Sequence, residues 1–177
     1  MAAPYYPYGA PPPPQMPAAP MPVAVVSPQF CAPYAVPMTV TKKAVSLSGG
    51  DFVVTDANGA EMLRVKGAFF SMHDRRVLRD AAGQPLVSMR GKVLSMHNRW
   101  EVYRGDSTNA SDLLFTVKKT AVFQLRTEIT RKYTAANLLL GKDTFVVTVF
   151  PHVDYVFIAA LVVILDEMHR ERFDWDF

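Results

Sequence analysis

The sequence predicts a mainly β domain: a β-barrel of antiparallel strands around a central, buried, hydrophobic C-terminal α-helix. Three observations carry this expectation. The first is the stretch Tyr155–Leu165, eleven residues without a charge, a glycine or a proline, flanked by Asp154 and Asp166. A segment apolar on every side must be buried all round or lie in lipid. Eleven helical residues span only about 16 Å, roughly half a bilayer's hydrocarbon core, so a core helix is the reading. The second is an internal repeat of hairpin-like units. The third is a run of short strand-like segments at close intervals, the pattern of a meander curling into a barrel.

Taken in order, residues 1–38 hold twelve of the fourteen prolines and no charged residue. Such a segment is expected to be a disordered, partly polyproline II tail. It could serve as a ligand for an aromatic-lined peptide-binding domain, or carry an acyl chain on Cys31. The simpler reading is a solvated leader. The barrel domain is expected over 39–172, with a short C-terminal tail at 173–177. Within it, Phe52–Gly67 reads as two β-runs joined by a turn with Asn58-Gly59 at its tip. The pattern returns twenty-four residues later. Asp56, Ala57, Gly59 and Gly67 match Asp80, Ala81, Gly83 and Gly91, and Ser71-Met-His73 matches Ser95-Met-His97. Two equivalent hairpins side by side in one sheet follow. Leu63 and Val65 alternate with Arg64 and Lys66, and Val87 and Met89 with Ser88 and Arg90, so each strand has one apolar and one polar face.

Further strands are expected at Trp100–Arg104, Leu113–Lys118, Val122–Arg126, Asn137–Leu140 and Thr144–Phe150. Pro151 ends the last of them. Asp154 then caps or opens the helix, where a carboxylate suits the positive N-terminal end. Tyr155, Phe157, Ile158, Leu161, Val162 and Leu165 are the expected core of the helix.

Composition excludes several classes. Half the residues are hydrophobic, a fifth are charged, and the net charge is +3. That is ordinary globular usage, without the basic run that nucleic-acid binding would call for. The single cysteine rules out an intramolecular disulfide framework and suits a reducing compartment. The N-terminus has neither a basic region nor an apolar core, so no secretory signal is read there and the sequon at Asn109 is expected to stay bare. His73, His97, His152 and His169 lack metal-ligand spacing. Asp56–Glu61 has a faint calcium-loop look but lacks the remaining oxygen ligands, and a hairpin turn explains it better. Gly141-Lys-Asp-Thr144 has no upstream glycine loop, and no nucleophile–base pairing is visible. The sequence therefore implies no enzyme, no cofactor and no metal.

The motifs Phe52-Val-Val-Thr-Asp56, Ser71-Met-His-Asp74, Ser95-Met-His-Asn-Arg-Trp100, Asp112–Lys118, Leu140–Phe145 and Val153–Leu165 resemble the plant LURP-one-related family. The resemblance runs from about Phe30 to Arg172. That family belongs to the Tubby C-terminal-like superfamily, with Tubby proteins and phospholipid scramblases, so the resemblance implies a barrel closed on one C-terminal helix. It also implies a non-enzymatic, intracellular role in plant defence or stress responses, in the cytoplasm and at the periphery of the plasma membrane. One departure stands out. Only Glu128-Ile-Thr130 lies where the family carries further strands, so the barrel is expected to lack two or three. A barrel that loses strands must shrink, reseal or expose an edge.

The remaining candidate site is electrostatic. Arg64, Lys66, Arg90 and Lys92 project from the outward side of equivalent strands, and Lys118, Lys119, Arg131 and Lys132 add two basic pairs. Gathered on one face, such side chains could hold anionic phospholipid headgroups, at about 1 kcal/mol each near a charged membrane. Tubby domains recognise phosphoinositides, which gives the reading family support. Taken singly, each is also an ordinary solvated strand residue. Two other classes of function stand beside this one: a scramblase-like membrane protein, and an adaptor acting through the proline-rich tail.

Overall fold

The computed structural model describes residues 21–43, 51–67, 75–92, 99–118 and 144–170. The expectations for residues 1–20, Ser71–His73, Ser95–His97, Val122–Arg126, Asn137–Leu140 and the 173–177 tail lie outside the described residues. Eight strands form one antiparallel sheet: β1 (Val36–Lys42), β2 (Phe52–Thr55), β3 (Glu61–Gly67), β4 (Arg75–Asp80), β5 (Pro85–Lys92), β6 (Arg99–Arg104), β7 (Leu113–Lys118) and β8 (Thr144–Val149). One helix, α1 (Tyr155–Arg170), follows. The spatial order is β7-β6-β5-β4-β3-β2-β1-β8. Chain neighbours are sheet neighbours except at β8, which returns to pair with β1 from Val36↔Val149 to Thr41↔Thr144. The sheet is not closed: among the described residues β7 and β8 end the order without pairing to each other.

The repeat is a duplicated hairpin. Asp56 and Asp80 each donate their backbone N–H across the turn, to Ala60 O at 2.9 Å and to Gln84 O at 3.0 Å. Gly59 and Gly83 donate back to Asp56 O and Asp80 O. Both glycines have positive φ, +82° and +88°, a conformation in which a side chain would be strained. The match extends to the irregularities, since the register slips at Val54/Thr55 in one copy and at Leu78/Arg79 in the other. A β-bulge at the same repeat position tightens the twist of both hairpins and helps curl the sheet.

The curled sheet turns Met38, Val40, Phe52, Val54, Leu63, Val65, Leu78, Val87, Met89, Trp100 and Val102 inward, all of them buried. Helix α1 lies along this face. Burial is complete at Val156, Ala159, Ala160, Val163 and Ile164. Of the six expected core residues only Val162 is buried; Tyr155, Phe157, Ile158, Leu161 and Leu165 are half-buried. The small alanines are fully buried, and the larger side chains of Tyr155, Phe157, Ile158, Leu161 and Leu165 lie on the less enclosed side. There Phe157 meets Phe115 of β7 edge-to-face, with centroids 5.0 Å apart.

The boundary expected at residue 38 is corrected. It falls inside β1, and residues 21–35 pack on the domain with Val26 and Phe30 buried. Proline tolerates this. Pro28 opens a 3-10 turn (Pro28–Phe30), where its missing N–H costs nothing. Pro37 sits in β1 beyond the reach of β2, whose pairing begins at Thr39, so no ladder bond is lost on that side.

What holds the segment is Asp154, fully buried between β8 and α1. Its Oδ2 accepts backbone N–H bonds from Val26 (2.8 Å), Ser27 (3.1 Å) and Val25 (3.3 Å). Its Oδ1 accepts from Phe157 N at 3.0 Å, so the same carboxylate caps the helix. Just before it, His152 takes a positive φ of 63°. This bend lets its N–H reach Ala32 O at 2.7 Å while its carbonyl accepts from Val23 N at 2.8 Å. The far end of α1 is pinned by charge. Asp166 and Glu167 sit where the helix dipole disfavours anions, and each meets an inward-facing strand cation. Lys42 of β1 reaches Asp166 at 2.6 Å, and Arg76 of β4 reaches Glu167 at 2.8 Å in a buried pair.

Two outcomes follow. Asp154→Ala should destabilise the domain by about 3 kcal/mol or more, because several buried N–H donors lose one charged acceptor. Asp154→Asn, which keeps one acceptor oxygen, should lose less; urea midpoints of the two variants compare them. Val162→Asp places an unpaired carboxylate in the core and should abolish cooperative unfolding, read as loss of the near-UV circular dichroism signal.

Candidate anion-binding surface

Because side chains alternate along each strand, the outer face of the sheet can be read from register. Four rows cross it. Val53, Arg64 and Arg79 form one. Lys66, Val77, Ser88 and Tyr103 form the next. Then come Arg75, Arg90, Glu101 and Thr116. The last is Lys92, Arg99 and Lys118, three cations directly opposite one another on β5, β6 and β7. At about 4.8 Å between strands the row is about 10 Å wide, and like charges in that position repel.

The expected basic positions therefore do not form one patch. Arg64 and Lys66 stand apart on β3. Arg64 Nε is tied to Glu61 at 2.6 Å in a solvent-exposed pair, and Lys66 is exposed beside Val77. Between β3 and the β5–β7 group lies the loop after β6. Gly105, at φ +60°, turns it back so that its N–H reaches Leu86 O at 2.9 Å, and Ser88 Oγ donates to Ser107 O. The loop delivers Asp106 to Arg75, by a direct ion pair, and to Arg79 at 3.8 Å. One carboxylate thus offsets one of these two positive charges, chiefly that of Arg75.

What remains together is Arg90, Lys92, Arg99 and Lys118. Lys92 is placed by backbone register, and Lys118 is exposed. Among the described residues neither Arg90 nor Lys118 makes an ion pair. Arg99 Nη2 lies 3.2 Å from Glu101 Oε1, and Tyr103 OH donates to Glu101 Oε2 at 2.6 Å. Glu101 thus props the row from its middle while its carboxylate is buried. Lys119, Arg131 and Lys132 lie outside the described residues. Sequence reasoning missed Arg99. It entered only as part of the motif Ser95–Trp100, and its place between two lysines depends on cross-strand register.

Other candidates resolve differently. Asp56 Oδ1 accepts from Asn58 N (2.8 Å) and Ala60 N (2.9 Å), so the calcium-like loop is a self-satisfied turn. The Cys31 thiol is half-buried and donates to Val23 O at 3.6 Å. Burial and then the Asp154 charge push its pKa up, away from a reactive thiolate. Among the described residues no group of three or more His, Cys, Asp or Glu could hold a metal ion, and no helix is long and apolar enough to cross a membrane.

Tyr103 gives the surface a pH signature. Burial first, then its hydrogen bond to Glu101 and that group's charge, raise its pKa, while Arg90 and Arg99 oppose the rise. An unfolded tyrosine releases its proton near pH 10, whereas the folded one holds it longer. Its contribution to stability is therefore fully present below about pH 10 and is lost as pH rises through the folded pKa. Urea midpoints should fall across this alkaline window, and Tyr103→Phe should shallow the fall. Tyr155, raised by burial and Asp154, is expected to leave part of the slope in place.

The same chain can be compared with known proteins. The sequence profile of the LURP-one-related family matches residues 36–134 and 124–166. Protein LURP-one-related 15 of Arabidopsis thaliana is 41% identical over 187 aligned positions, covering 83% of this chain and 86% of that protein. Protein LURP-one-related 10 of the same plant is 36% identical, covering 84% and 98%. Protein LURP1 of that plant is 32% identical, covering 86% and 93%. An X-ray structure of a protein from Arabidopsis thaliana superposes with a TM-score of 0.58 at 31% identity, covering 82% of this chain and 98% of that one. Of the 187 positions aligned with LURP-one-related 15, 83% of 177 residues supplies about 147, so about 40 residues of the relative face gaps here. The two profile matches overlap at 124–134, the stretch that contains Glu128–Thr130. With matches to family profile, relatives and solved structure over most of its length, this chain belongs to the LURP-one-related family.

Proposed function

We propose that this domain is a non-enzymatic plant protein that binds anionic phospholipid headgroups, phosphoinositides among them, through the outer ends of β5, β6 and β7. The observation that carries the reading is the row Lys92, Arg99 and Lys118 with Arg90 in the adjoining row. Three like charges set opposite one another gain from an anion laid across them, and a headgroup bearing several phosphates spans about the same width. Glu101 holds Arg99 in place at the centre. Such a surface suits peripheral attachment to the cytoplasmic leaflet, where anionic lipids are concentrated. Family membership alone supports the role in defence or stress responses.

Cosedimentation with vesicles of defined phosphoinositide content, at low and high salt, tests this. Anionic vesicles should pull down the protein, neutral phosphatidylcholine vesicles should not, and high salt should release it. Arg99→Gln with Lys118→Gln should weaken partitioning by about tenfold or more, at about 1 kcal/mol per charge. Equal recovery on neutral and anionic vesicles would end the proposal.

A further inference from the structure

At the N-terminal end of α1, remote from the basic row, a groove of about 300 Å³ opens beside the first hairpin turn. Its walls include Tyr34, Tyr155, Val36 and Met62, with Ala32 at one end and the turn residue Asp56 on the rim. Tyr34 is 67% exposed, a large ring standing in solvent. Tyr155 is held by an edge-to-face contact with Phe30 at 5.6 Å. The Asp56 carboxylate is committed to its own turn. Two tyrosines over an apolar floor, without a charge awaiting a partner, is the chemistry that receives a polyproline II ligand: proline rings lie flat on aromatic faces, and the preformed helix loses little entropy on binding.

We propose that the occupant is this chain's own residues 1–20, with the run Pro11–Pro14 lying between Tyr34 and Tyr155. Three facts select it over a foreign ligand. Residues 1–20 carry no charged side chain, and six of the ten residues from Pro11 to Pro20 are proline, matching an uncharged groove. Their point of attachment is close. Val23 and Ala32 each hydrogen-bond to His152, which puts the entry of the segment two strand spacings, about 10 Å, from the end of the groove. The run begins ten residues before Met21 and ends seven before it, and at about 3.1 Å per residue in polyproline II it reaches about 20–30 Å, more than enough. Tethering raises the effective concentration to about the millimolar range, so a contact too weak to form between separate molecules is populated. A proline-rich ligand from another protein would first have to displace this one.

Nuclear magnetic resonance on the full chain decides it. Contacts between proline δ protons and the Tyr34 ring protons are expected, and Tyr34→Ala, at an exposed position, should abolish them without unfolding the domain. Replacing Pro11–Pro14 by glycine should shift the Tyr34 and Tyr155 resonances while those of Val102 and Met89 stay fixed. Absence of the proline–tyrosine contacts, together with unchanged tyrosine resonances in the glycine variant, overturns the proposal. In a mixture of isotope-labelled and unlabelled chains, contacts seen only between the two kinds of chain would assign the groove to a second copy and overturn it equally.

Discussion

One buried carboxylate joins three parts of this fold. Asp154 caps α1 through Phe157 N and holds the N-terminal segment through the amides of Val25, Val26 and Ser27. An ionised group without solvent is costly unless hydrogen bonds replace its hydration, and four backbone donors do so here. Both sides gain: the helix start and the segment 23–32 each have backbone donors that the sheet does not satisfy. The left-handed His152 is the local strain that brings these partners together.

The opposite end of α1 follows a related logic with charges reversed. Asp166 and Glu167 close an otherwise apolar helix, and the inward positions of β1 and β4 hold Lys42 and Arg76 rather than another aliphatic residue. A buried ion pair adds little net stability compared with a hydrophobic pair of the same shape, but breaking one is expensive. Such pairs fix the helix in one register along the sheet. A helix of valines, alanines and leucines could otherwise slide or rotate with little penalty, since most of its faces are alike.

The features legible in the sequence are those written in short-range periodicity. The hairpin turns at Asp56–Gly59 and Asp80–Gly83, the alternation along β3 and β5, and the uncharged stretch of α1 all declare themselves within a dozen residues. The capping role of Asp154 was visible for the same reason. Its grip on residues 25–27 was not, because nothing local links positions almost 130 residues apart. The proline-rich composition pointed to a tail, yet Val26, Phe30 and Val36 are spaced so that each drops into the core, which composition cannot reveal. The basic surface was half legible. Outward lysines and arginines could be counted, but the row of Lys92, Arg99 and Lys118 and the pairing of Asp106 with Arg75 and Arg79 depend on cross-strand register and a returning loop.

The place of β1 in the sheet has a consequence for how the domain forms. From β2 to β7 each strand pairs with its predecessor, so this part can assemble by successive hairpins as the chain emerges. β1 must also wait for β8, and the segment before it for Asp154, both more than a hundred residues downstream. Until then Val36, Met38 and Val40 face no helix. The first strand of the sheet to be synthesised is thus among the last to be secured, and the nascent sheet carries an open apolar face that cellular chaperones are suited to shield.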